Sequence, residues 1–232
     1  MKHCIRIAFA LGVVCAASST TSFASSMYIV QGIAGRTYVV PSDPAFPVDV
    51  LLNDEVCSVH GLPFGSIQGP LTFEPGTYNV KVSIANTLAP CTNTPLIDKA
   101  VTIEPRTNLS AVIALDEDGL PTLLTFTNNL SPVAANTDRM LFAVAANSPE
   151  LQLILQNTAT HKVYTYAVKP GTLLDANLPA GNYNIEINQG ATILVTSTPL
   201  RLWEQSVTLL YGLGRASTDT VVLENRILRD VI

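Results

Sequence analysis

The sequence predicts an all-β fold: two tandem immunoglobulin-like β-sandwiches after a cleaved signal peptide. Three observations carry this reading. Short alternating apolar segments recur between turns rich in Gly, Pro and Asn; no stretch of the mature chain has a convincing helical period; and one turn-and-strand phrase is written twice, as FEPGTYNV at 73–80 and LPAGNYNI at 178–185. A closed barrel is the structural rival.

Residues 1–24 place Lys2 and Arg6 around the start of an apolar run, 5–17, and close on Ser22, Phe23 and Ala24. That is the pattern of a secretory signal peptide. The run is shorter than the roughly 20 apolar residues of a membrane helix, so no transmembrane segment is expected in the mature chain. Cys15 follows Val13 and Val14, where a lipoprotein signal wants a small residue, and is assigned to the discarded leader. The expected destination is the periplasm or the medium. Loss of Lys2 and Arg6 leaves 11 basic against 18 acidic residues. The remaining lysines, Lys81, Lys99, Lys162 and Lys169, are scattered, so no positive stripe exists to bind nucleic acid or an anionic membrane surface.

Cys57 and Cys91 are the two cysteines of the mature chain. An oxidising compartment favours joining them in a disulfide. A metal pair is the rival, but the spacing has no CxxC element and no second ligand pair.

The repeat orders the rest. Pro75 and Gly76 in the first phrase, and Pro179, Ala180 and Gly181 in the second, each make a short turn in which proline presets φ and glycine permits a positive one. An alternating strand follows each turn. Tyr78, Val80 and Val82 share one face, as do Tyr183, Ile185 and Ile187, so Tyr78 and Tyr183 are expected to be equivalent core residues. Upstream, VDVLLN at 48–53 matches LQLILQ at 151–156. Downstream, the segment from Leu109 matches the segment from Val207, each reading as two apolar strands around a glycine turn. The domains are accordingly set at 25–132 and 133–232, each with some seven strands, joined through 128–138.

On these residues a resemblance rests. YIVQGIAGR, FPVDVLLND, LPFGSIQGPLTFEPGTYNVKVSIAN, KAVTIEPRTNLSAVIAL and DGLPTLLTF resemble the bacterial secreted family termed domain of unknown function 4397, in two tandem copies. The resemblance implies an envelope or adhesion module and no particular activity. The second half departs from the pattern: Gln152 stands where the first has Asp49, and the Phe64-Gly65 pair is lost. Asp49 is read as bracketing a strand edge in solvent rather than binding a ligand.

The search for chemistry returns no catalytic, cofactor or metal residue. His60 and His161 are the histidines of the mature chain, about 100 residues apart, and read as exposed strand positions. Ser66 follows Gly65 directly and makes no nucleophile elbow. Asp116, Glu117 and Asp118 beside Gly119 form a hairpin signal and lack the later ligands of a calcium loop. Asn108 and Asn129 fit the glycosylation sequon, which carries little weight if the source is bacterial, as the resemblance implies. The expectation is a non-enzymatic module of the envelope or secreted fraction, contacting a protein or glycan or serving structure. The alternative is a hydrolase of unfamiliar type acting from the sandwich loops.

Overall fold

A computed structural model describes residues 24–35, 46–218 and 221–228. Of the expected leader at 1–24, residues 1–23 lie outside the described residues. The first half contains β1 (Ser25–Gln31), β2 (Val48–Leu52), β3 (Val56–Leu62), β4 (Ile67–Phe73), β5 (Gly76–Ile84), β6 (Ile97–Ile103), β7 (Asn108–Leu115) and β8 (Pro121–Thr127). The second contains β9 (Thr137–Val144), β10 (Leu151–Asn157), β11 (Val163–Val168), β12 (Leu173–Pro179), β13 (Gly181–Gln189), β14 (Thr192–Leu202), β15 (Ser206–Leu213) and β16 (Val222–Leu228).

Four sheets form two sandwiches. The first pairs the sheet β4-β1-β7-β8 with β3-β2-β5-β6; the second pairs β12-β9-β15-β16 with β11-β10-β13-β14. Adding eight to each strand number of the first half gives the order in the second, down to the parallel pairs β1/β7 and β9/β15. The fold class matches the expected pair of sandwiches, with eight strands in each half where spacing suggested seven. The strand order differs from the ABED and CFG sheets of immunoglobulin constant domains, although the sandwich architecture is shared.

Period-two alternation builds each core. Val48, Val50, Val80 and Val82 face Met27, Ile29, Ala111 and Ile113 in the first; Leu151, Leu153, Ile185 and Ile187 face Met140, Phe142 and Leu210 in the second.

The sequence reading missed a third apolar layer. Tyr28, Val30, Val112 and Ala114, on the outer face of one sheet, pack against Leu141, Ala143, Leu209 and Tyr211 on the outer face of another. The sandwiches are thus fused face to face into four layers. Strands β7 and β15 are buried at every position because both their faces are covered. Backbone joins the halves as well, since Gly214 N–H donates to the Gly32 carbonyl at 3.1 Å.

The fusion also corrects one correspondence. Leu109 belongs to the first sandwich core, whereas Val207, matched to it by sequence, belongs to the layer between sandwiches. Both segments are buried at every position and apolar apart from Ser110 and Thr208, so no alternation marks the face, and a slip of one residue turns every side chain over.

Candidate functional site

Asp49 lies on the side of β2 that faces away from the core, where a strand carboxylate ordinarily meets water. It is instead fully buried. The cover is the connection at 85–96 between β5 and β6, which folds back over β2. Four donors converge on the carboxylate: His60 Nδ1 at 2.7 Å and Gly61 N–H at 2.9 Å on Oδ1, and Cys91 N–H at 2.8 Å and Asn86 N–H at 3.1 Å on Oδ2. Burial pushes the Asp49 pKa up, but the backbone bonds from Cys91, Gly61 and Asn86 and the bond from His60 outweigh it and hold the group below its ordinary range. An ionised carboxylate only accepts, so His60 carries its proton on Nδ1. The expectation of a solvated Asp49 is therefore corrected, while His60 is the exposed strand position expected, its imidazole about half exposed although Nδ1 is bound to Asp49.

The covering loop is fixed from three directions. Cys57 on β3 and Cys91 in the loop form a disulfide, with their Cα atoms 5.8 Å apart. Asn86 Oδ1 accepts from Leu88 and Ala89 N–H, each at 3.1 Å, and Asn93 Nδ2 donates to the Ile84 carbonyl at 3.0 Å. Leu88 stands at the tip, 95% exposed. In the second sandwich the matching connection is only Gly190 and Ala191, and Gln152, in the place of Asp49, lies open to solvent. Loss of the carboxylate and loss of the loop thus go together.

Beside His60 is a polar cavity of about 440 Å³ lined by Ser58, Gly61, Ser66 and Gln68. A second cleft of about 1040 Å³ lies where the sandwiches meet, with Asp116, Glu117, Glu150 and Lys169 on its walls.

The repeated phrase forms matching corners. Tyr78 Oη donates to the Glu74 carbonyl and Tyr183 Oη to the Pro179 carbonyl, each at 2.8 Å and each four residues back. Gly76 has φ +158° and Gly181 φ +154°, values that L side chains rarely adopt. Burial differs: Tyr183 is enclosed, whereas Tyr78 is only half-buried and meets Phe73 edge to face at 5.2 Å.

The other singled-out residues serve structure. Asp116 Oδ1 accepts from Asp118 and Leu120 N–H and closes the β7/β8 hairpin, where Gly119 has φ +80°. Asn108 is buried and donates to Ser26 Oγ, while Asn129 bonds Asp175. Phe64 packs on the layer between sandwiches and Gly65 faces Glu224. His161 is an exposed turn residue at φ +57° rather than a strand position. Sequence reasoning overlooked Asp138, which is fully buried and accepts from the Ser206 and Thr208 hydroxyls. Its location beside a strand start gave no signal.

Fold and site together define a two-sandwich all-β protein whose first half carries a disulfide-pinned loop clamped on a buried carboxylate. The chain belongs to the family described as Domain of unknown function (DUF4397), whose sequence model matches residues 38–154. That match begins ahead of β2, crosses the junction and ends within β10. No curated protein matches the chain. Among solved structures it is similar to a leucine-rich repeat protein from Bacteroides thetaiotaomicron, at 11% identity and a TM-score of 0.24, covering 83% of this chain and 26% of that one. It is also similar to the Bacillus anthracis TIE protein, at 11% identity and a TM-score of 0.27, covering 88% of this chain and 34% of that one. The chain thus spans between a quarter and about a third of the length of these structures.

Proposed function

We propose that this chain is a non-enzymatic module of the bacterial envelope or secreted fraction, built from two copies of one domain and working by contact with a protein or glycan partner. The observation that carries the reading is the use made of Asp49. In a His-Asp pair that serves catalysis the carboxylate orients a base toward a nucleophile. Here the same carboxylate also receives three backbone N–H groups and clamps the 85–96 loop, which supports a structural role for the pair. A disulfide in the same loop suits an oxidising compartment, in keeping with a leader at 1–24.

A hydrolase acting from the loops is the second reading. What favours it is the exposed side of His60, which shares its cavity with Ser58 and Ser66.

Two measurements test the proposal. N-terminal sequencing of the protein from fractionated cells should begin near Ser25 in periplasm or medium; an intact Met1 in the cytoplasm contradicts it. His60→Ala should leave any turnover of ester, peptide or glycoside probes unchanged. A turnover lost with His60 would favour the hydrolase.

A further inference from the structure

Among the described residues the two sandwiches present eight outer strands, and an uncovered edge offers free N–H and C=O groups to any extended chain. Seven of the eight carry an identifiable obstacle. Strand β3 is bulged against β2 and tied through Cys57; β4 is irregular against β1 and contains Pro70. Strand β6 carries Asp98 and Lys99, and β8 starts at Pro121 and has its Leu123 carbonyl taken by Lys99 Nζ at 2.8 Å. Strand β12 has Asp175 at its centre, paired with Arg139. Strand β14 has two register shifts and Pro199, and β16 has Glu224 and Arg226.

The eighth edge, β11, has none of these. It reads VYTYAV, without charge, proline or glycine, and runs in unbroken register from Leu151↔Val168 to Gln156↔Val163. Among the described residues it pairs with β10 alone. Asn157 N–H donates to the Lys162 carbonyl at 2.9 Å, which fixes the phase of the ladder. Alternation then turns the backbone groups of Tyr164, Tyr166 and Val168 toward β10 and those of Val163, Thr165 and Ala167 outward.

Lys162 and Lys169 flank this free edge, and both are exposed. With this phase a second copy pairs antiparallel about Thr165, which sets Lys162 of each copy opposite Val168 of the other and gives neither lysine a carboxylate. Such a pair leaves the charged ends of the edge unmatched. An extended segment with acidic ends meets the same lysines favourably, although Lys169 has Glu150 at 3.8 Å as a competitor.

We propose that β11 is a strand-addition site that accepts an extended, uncharged β-forming segment of another protein, flanked by acidic residues. Backbone bonds at Val163, Thr165 and Ala167 supply the pairing, and Lys162 and Lys169 select the partner's ends. This deepens the binding-module reading by naming the partner chemistry. Fractionation tests that reading separately, so either can fail while the other stands.

The probe is a blocked peptide, Asp-Val-Thr-Val-Thr-Val-Thr-Asp, titrated into the mature protein beside a twin with lysine at both ends. The acid-ended peptide should bind about tenfold more tightly than its twin, and a Lys162→Glu/Lys169→Glu double variant should reverse the order. Thr165→Pro removes one outward donor and leaves the β10 ladder whole, so the variant should fold and lose the peptide. Equal binding of both peptides, a Thr165→Pro protein that folds and still binds, or no binding to the native edge would each overturn the proposal. So would a native dimer that Thr165→Pro dissolves, because the edge would then take a second copy. Should Thr165→Pro fail to fold, the double variant decides alone.

Discussion

The hydroxyl groups of Ser110 and Tyr211 stand 2.7 Å apart, one on β7 of the first sandwich and the other on β15 of the second, both sealed from solvent. They are a polar bond inside an otherwise apolar layer. Burial pushes the Tyr211 phenol far above its ordinary pKa, so it stays neutral at any physiological pH. The two ends of the bond are unequal. Ser110 Oγ also bonds the Asn128 side chain, at 3.1 Å to Oδ1 and 2.9 Å to Nδ2. Tyr211→Phe therefore removes one bond and should cost about 1 kcal/mol. Ser110→Ala strips the buried phenol of this partner and should cost more, about 1–3 kcal/mol. Urea denaturation of the two variants checks the order, and a costlier Tyr211→Phe would contradict it.

The corners predict a second asymmetry. Tyr183→Ala empties an enclosed site and should cost about 3–5 kcal/mol, with Tyr78→Ala below it because that ring is half in solvent. A Cβ at Gly181 would meet Asn157 Nδ2 at 3.1 Å, whereas one at Gly76 has nothing nearer than 3.9 Å. Gly181→Val should consequently lower the melting temperature more than Gly76→Val, since both share the unfavourable φ and only one adds a crowded neighbour. A ligand role for Tyr78 predicts the opposite: an unchanged midpoint for Tyr78→Ala.

Two buried carboxyl groups should answer pH in opposite senses. Asp49 is held below its ordinary pKa of 3.8, so its contribution is complete above that value and is lost as pH falls through the lower folded one. Asp138 is raised, by burial first, with the Ser206 and Thr208 hydroxyls pulling the other way. Its protonated form suits the fold, so its contribution is present at acid pH and is lost as pH rises through the elevated value. Asp49→Asn should then cost more at pH 7 than at pH 3, and Asp138→Asn more at pH 3 than at pH 7. Denaturant melts at both pH values read the two signs directly.

Reduction of Cys57–Cys91, which are 34 residues apart, removes a loop constraint of roughly 4 kcal/mol in the chain-entropy model. It also frees the segment that delivers the Cys91 and Asn86 N–H groups to Asp49. Limited proteolysis under reductant should cut first within 85–96, and a first cut in the second sandwich would contradict this loop's dependence on the bridge.

What was legible in the sequence was local. The turns at Gly76, Gly119 and Gly181, the alternation behind Tyr78 and Tyr183, and the strand content all follow from neighbours a few residues apart. Asp49 was misread because its donors come from 61, 86 and 91, and nothing in VDVLLN shows that a distant loop will cover it. The face-to-face layer was missed for a related reason. Segments 108–115 and 206–213 are apolar on both faces, and a strand without alternation states that both sides are covered but not by what. Edge quality in β11 became readable only once pairing and phase were known.

Fusion of the two sandwiches through this buried layer should make them one cooperative unit. Neither half can unfold without exposing Leu141, Leu209 and Tyr211 on one side or Tyr28, Val30 and Val112 on the other. Differential scanning calorimetry of the oxidised chain from residue 25 onward tests this most directly. A single transition with equal calorimetric and van't Hoff enthalpies is predicted; two resolved transitions, each with the heat of one sandwich, would contradict it.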